Sequence, residues 1–289
     1  MGALPSRRDE AWKYSDLRGA LDGAAPPMAG DGDVIERLAR AAGAMRQRVM
    51  AAGEKNIAVI DVETERFAPG AEDVVVGAGG AYHRIVLQRG EGVALSHCRV
   101  RLGAGATFRQ CIIAEGARLA RIETHVSVEG EGAQVDLAGV YLCAGGRHAD
   151  LTSTITHSAT SGKTAQLIKG VARKGGRGVF QGSIVVERGA QQTEAHQYHH
   201  GMLLEDGAEI FAKPELMIFA DDVVCAHGNT AGGLDESVLF YLRSRGVPEA
   251  EARALLTEAF LLEALPDWMP PDVHAQIEGR IAAWLRGAP

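Results

Sequence analysis

Residues 213–246, KPELMIFADDVVCAHGNTAGGLDESVLFYLRSRG, pass from a strand-like run through a glycine-rich turn into a helix. Inside the run, Cys225 and His227 stand two residues apart. Residues i and i+2 of a strand share a face, so this thiol and imidazole would form a soft, two-point metal-binding edge. Alone the signal is weak, because a structural site takes four ligands and a catalytic one three. Read from the residues by themselves, a buried, satisfied Cys and His is the more ordinary outcome.

Upstream, about residues 56–233, short alternating segments are separated by glycine-bearing turns: Arg84-Ile85-Val86-Leu87, Val93-Ala94-Leu95, Thr124-His125-Val126-Ser127-Val128 and Ile184-Val185-Val186. Gly-Ala pairs recur at 70, 105, 116, 132, 189 and 207, too irregularly for a strict hexapeptide or nonapeptide repeat. Short strands without a long helical pattern leave a sandwich, a barrel or a β-solenoid. The 36 glycines and an aromatic content of only 5% mildly favour the solenoid, whose narrow core stacks small aliphatic side chains.

Both flanks read as helical. In residues 1–55, an aromatic run (Trp12-Lys13-Tyr14-Ser15-Asp16-Leu17) suits an anchor on the core. Beyond a Gly/Ala/Pro linker, Val34, Leu38, Ala41, Met45 and Val49 recur at helical steps, with Asp33 to cap the start and Gly53 to end the helix. In residues 234–289, Asp235 caps one helix that Gly246 ends, and Pro248 opens a second with a Leu255, Ala259, Leu262 stripe. A third runs from Asp272 to Arg286 with Val273, Ile277, Ile281 and Trp284 on one face. This bundle would cap the solenoid end or offer a docking face.

The net charge of −7 argues against general nucleic-acid binding, and Arg173, Lys174 and Arg177 read as a solvated loop. Cys98, Cys111, Cys143 and Cys225 form no CxxC pair; the first three sit in apolar strands as inert core. With no signal-peptide core and no membrane-length apolar run, a soluble cytoplasmic chain is expected. Ser161-Gly162-Lys163-Thr164 is only the tail of a phosphate-binding loop, so ATP hydrolysis would belong to a partner. Asp221 and Asp222 are adjacent and face opposite ways, a poor acid–base pair. His196, His199 and His200 read as surface histidines in a polar turn, without a role.

Residues 213–246 resemble the C-terminal core of the SufB/SufD family of iron–sulfur cluster assembly scaffolds, on its SufD side. The match rests on Lys213-Pro214-Glu215, Ala220-Asp221-Asp222-Val223, Cys225-Ala226-His227-Gly228, Leu234-Asp235-Glu236 and the run from Leu239 to Gly246. Val179-Phe180-Gln181-Gly182 and Val186 to Gln191 extend it upstream. The resemblance implies a mainly β chain: a right-handed parallel β-helix over 56–233, a short N-terminal helical segment (1–55) and a C-terminal helical domain (234–289).

It further implies a non-enzymatic scaffold that pairs with SufB and binds the SufC ATPase through the C-terminal helices. Cys225 and His227 would hold iron or a transient iron–sulfur cluster shared with the partner, and none would be tightly bound in the isolated chain. A neighbouring imidazolium would keep the Cys225 thiolate available. In isolation the chain would form a homodimer across the same edge. Two other readings stand beside this one: a SufB-like scaffold working as a homodimer, and a β-helix enzyme acting on polysaccharides. The few aromatics and the missing signal peptide count against the enzyme.

Overall fold

Strand alternation organises the chain from Met45 to Gly232 into two sheets of seven strands. The computed structural model describes residues 4–24 and 26–287. One sheet takes β1 (Met45–Met50), β3 (Phe67–Val76), β5 (Val93–Leu102), β7 (Leu119–Val128), β9 (His148–His157), β11 (Arg177–Val186) and β13 (Glu209–Ile218). The other takes β2 (Lys55–Glu63), β4 (Ala81–Arg89), β6 (Thr107–Ala114), β8 (Gln134–Cys143), β10 (Lys163–Ala172), β12 (Glu194–Leu203) and β14 (Val224–Gly232). Successive strands alternate between sheets and every strand pairing is parallel. The architecture is a parallel β-solenoid, which removes the sandwich and the barrel.

Register stacks like on like along the axis. Val74, Val100, Val126, Ile155 and Ile184 are partners in turn across one sheet, all buried. Such aliphatic columns are the main source of cohesion, at about 25 cal/mol per Å² of apolar surface removed from water. Coil length drifts: Phe67 pairs with Val93, but Arg177 pairs with Glu209. That drift is why no strict repeat shows in the sequence. At the turns Gly105, Gly116, Gly132 and Gly207 take left-handed φ values of +62° to +82° that a β-carbon would strain.

The N-terminal segment lies on the outer face of the odd-numbered sheet. Trp12 covers the Arg121 guanidinium at 4.2 Å, and Ser15 Oγ donates to Asp150 at 2.5 Å. Leu17 of α1 (Leu17–Ala20) and Ile35 and Leu38 of α2 (Val34–Ala41) pack against Val93, Leu95 and Leu119. The aromatic run is therefore an anchor, as expected. Asp33 caps α2, sharing a capping box with Glu36. The helix, however, does not reach Gly53: it ends at Ala41, Gly43 turns the chain at φ +66°, and Met45 and Val49 belong to β1. Their four-residue spacing mimicked a helical stripe, yet Val49 is 78% exposed.

Three C-terminal helices form as expected: α3 (Glu236–Ser244) capped by Asp235, α4 (Glu249–Leu262) and α5 (Pro271–Leu285). Helices α4 and α5 pack along the side of the even-numbered sheet, not over its end, and α3 packs on α4. Leu261 of α4 and Val273, Ile277 and Ile281 of α5 share a core with Ile85, Cys111 and Val140. The buried face of α4 carries Ala252, Thr257 and Leu261, whereas Leu255 and Ala259 point outward, opposite to the expected stripe. Arg173 is no solvated loop residue either. It stacks on Trp284 at 4.4 Å and donates to the Leu285 carbonyl at 2.7 Å, capping the end of α5.

Candidate functional site

The last coil is one of the two ends at which the solenoid interior meets solvent. Strands β13 and β14 each pair on one side only and terminate their sheets. Cys225 pairs with Ala195 and His227 with Gln197, residues that are fully buried and point inward. Cys225 and His227 thus share the inward face, with no further coil above them; Cys225 is half-buried against the core and His227 is exposed. The expected side-by-side edge follows directly from this register.

Each of the two ends an interior column. Tyr82, Phe108, Val135, Thr164 and Ala195 lead, partner by partner, to Cys225. Arg84, Gln110, Leu137, Gln166 and Gln197 lead to His227. The second column, polar apart from Leu137, is hydrogen-bonded along itself, Arg84 to Gln110 at 2.7 Å, and across the interior, Gln110 to Thr124 at 2.9 Å and Gln166 to Ser153 at 2.8 Å. Most buried polar groups in folded proteins are so paired. Sequence reasoning missed this column because its members lie one coil apart, and only their alternation with apolar neighbours hints at it.

The thiol of Cys225 is raised above its ordinary value: burial outweighs a backbone hydrogen bond at Ala195 that pulls the other way. That direction is opposite to the one a neighbouring imidazolium would give. Among the described residues no third Cys, His, Asp or Glu completes a cluster with these two.

His196, His199 and His200 lie on β12, not in a polar turn. His196 and His200 face outward, while His199 is fully buried. Its ring stacks on Phe180 at 5.1 Å, meets Tyr141 Oη at 2.9 Å and lies 2.7 Å from Asn229 Oδ1 on β14. Burial lowers its pKa to about 4. His199 is thus a buried support beneath the last coil, not a surface group.

Asp221 and Asp222 are exposed and solvated. Cys98, Cys111 and Cys143 are fully buried, and burial pushes their thiols up to about 11, 12 and 12, as inert core requires. Lys163 opens strand β10 where a phosphate-binding loop needs a helix.

Residues 46–260 match the family model described as "SUF system FeS cluster assembly, SufBD core domain", from β1 into α4. The chain belongs to the SufBD family. It is 32% identical over 211 residues to an iron–sulfur cluster assembly SufBD family protein, slr0076, of Synechocystis, covering 72% of this chain and 46% of that one. Similarity to the chloroplastic protein ABCI7 of Arabidopsis thaliana is also 32%, over 74% of this chain and 46% of that protein. The iron–sulfur cluster assembly protein SufD of Escherichia coli is 31% identical over 66% of this chain and 45% of its own. The chain spans just under half the length of these SufBD relatives. No described helix is long and apolar enough to cross a membrane.

Proposed function

We propose that this chain is a non-enzymatic scaffold subunit for iron–sulfur cluster assembly in the cytoplasm. One observation carries the reading: Cys225 and His227 sit together on the inward face of the last, uncovered coil. Thiolate and imidazole are suitable ligands for a forming iron–sulfur site. Two ligands leave a site open, so a second subunit supplies the rest, and the cluster is cargo held until transfer.

The partner at that end is a SufB subunit, its own last coil meeting β13 and β14. Unpaired strand edges favour such addition, and Met217, Ile218, Phe219 and Val224 around them are exposed apolar side chains. A second copy of this chain would take the same place in isolation. The division into an N-terminal segment before β1, the solenoid of β1 to β14 and the helices after it also divides the work, with the helices docking the SufC ATPase. Phe240 and Tyr241 on α3 are 72% and 55% exposed, and Leu255 on α4 faces the same solvent. A docking surface explains apolar side chains that the fold leaves outside.

The test is co-expression with the SufB and SufC of the same host, with and without Cys225→Ala and His227→Ala. Assembly is read by size exclusion, then iron and sulfide content after anaerobic purification. We expect the variants to assemble and lose iron and sulfide. A wild type that forms no complex overturns the scaffold reading, whereas variants that keep their cluster overturn only the site.

The docking face makes a separate prediction. Phe240→Ser with Leu255→Ser should abolish copurification of the ATPase subunit while changing the stability of the chain by less than about 0.5 kcal/mol each, the usual range for exposed positions. Unchanged copurification would count against these helices as the docking site.

A further inference from the structure

The capping box of α2 leaves two carboxylate oxygens outside its own hydrogen bonds. Asp33 Oδ1 accepts from the Glu36 N–H at 2.9 Å, and Glu36 Oε2 accepts from the Asp33 N–H at 3.2 Å. The remaining oxygens, Asp33 Oδ2 and Glu36 Oε1, turn toward the outer face of β5, where His97 lies fully buried under the helix. His97 Nε2 is 3.0 Å from Asp33 Oδ2 and Nδ1 is 3.4 Å from Glu36 Oε1, yet neither ring nitrogen makes a hydrogen bond. Both oxygens are buried; Asp33 Oδ2 has no hydrogen-bond partner, and Glu36 Oε1 has only the ion pair with Arg99 at 2.8 Å. One atom from each of the three residues falls within 4.8 Å of the others.

A neutral imidazole carries one N–H, so one of the two nitrogens must set its lone pair against a carboxylate. Burial of the ring opposes the added proton that would resolve this conflict. A cation resolves it without that proton. We infer that Asp33, Glu36 and His97 form a binding site for a first-row divalent cation such as Zn²⁺ or Fe²⁺, which clamps α2 to the solenoid. One imidazole and two carboxylates make a donor set suited to such borderline ions and ill suited to soft Cu⁺. Two carboxylates still outweigh the Arg99 guanidinium together with the partial positive charge at the start of α2.

The surroundings fit a second shell. His125 meets His97 edge-on at 4.8 Å and is itself held by Glu123 at 3.0 Å. Arg99 contacts Glu36 Oε1 at 2.8 Å; its side chain is 43% exposed and can swing outward when a cation takes that oxygen. The site is independent of Cys225 and His227. It lies on β5, four strands of its sheet before the terminal β13, which is roughly 19 Å at the usual strand spacing.

The full-length chain carrying Cys225→Ala and His227→Ala isolates the site, with Zn²⁺ titrated calorimetrically and Co²⁺ followed by its visible absorption. We expect one equivalent of each and a thermal midpoint that rises with free Zn²⁺. Asp33→Asn and Glu36→Gln keep the capping groups and hence the helix, and each should weaken Zn²⁺ by more than about tenfold. Arg99→Gln should tighten it. Absence of stoichiometric binding overturns the site, as does a Zn²⁺ affinity indifferent to Asp33→Asn and Glu36→Gln. A high His97 pKa by NMR in the metal-free chain, without Zn²⁺ binding, would make the triad a plain imidazolium clamp and also overturn it.

Discussion

Asp150→Ala should cost the fold about 3–5 kcal/mol, the usual penalty for stranding one member of a buried ion pair. Asp150 and Arg121 are both fully buried. The carboxylate takes Arg121 Nη1 at 2.7 Å, Ser15 Oγ at 2.5 Å and Thr152 Oγ1 at 2.8 Å, with Gln181 Nε2 at 3.3 Å. Arg121 retains only Glu123 at 3.0 Å once Asp150 is gone, beneath the ring of Trp12. Because Ser15 belongs to the N-terminal segment, the loss is also topological: the anchor is released from the sheet. The expected readout is a lower urea midpoint together with rapid proteolysis before residue 30. A double replacement of Asp150 and Arg121 by leucine should cost less than the two single changes added, since Arg121 is then no longer stranded and Glu123 keeps His125. A loss below about 1 kcal/mol for Asp150→Ala would show that water reaches Arg121 and that the pair is not buried in solution.

Local signals were legible in the sequence wherever physics is local. Asp33 and Asp235 cap helices because a short side-chain oxygen satisfies the first free N–H groups. Alternation marked the strands, and the two-residue step put Cys225 and His227 on one face. What escaped depends on contacts between coils. Met45 and Val49 matched a helix by spacing, and only the pairing of β1 with β3 made them strand. The AHQYHH run looked like a polar turn because its inward members, Gln197 and His199, find their partners on other strands. Leu255 and Ala259 were assigned to the buried stripe of α4, although the sheet beneath selects the opposite face. The Asp33, Glu36, His97 triad escaped for the same reason: a capping box and a strand histidine meet only once α2 lies over β5. That the Cys–His pair crowns the last coil is likewise a fact about coil number, invisible in any single stretch.

Acid should destabilise this protein well before its carboxylates protonate. Burial lowers His148, His157 and His199 to about 4 each, from an ordinary value near 6.5. His157 meets Thr164 Oγ1 at 2.8 Å inside the solenoid, and His199 bridges Tyr141 and Asn229. Between pH 6.5 and 4 the unfolded chain binds protons that the folded chain refuses. Stability is therefore fully present above pH 6.5 and is lost as pH falls toward 4, by about 2 kcal/mol per histidine at pH 5. Glu123 extends the loss further down: burial alone would raise its carboxyl, but Arg121 and His125 hold it at about 2, so its contribution disappears between pH 4.5 and 2. Urea midpoints at pH 7.5 and 5.0 should differ strongly, and His157→Asn or His199→Gln should each remove about a third of the difference while lowering the midpoint at neutral pH. A midpoint that stays flat across that interval would mean these imidazoles are hydrated. Protonating His199 also loads positive charge beneath Asn229, so amide exchange in β14 should quicken first, and the coil that carries Cys225 and His227 should loosen before the rest of the solenoid.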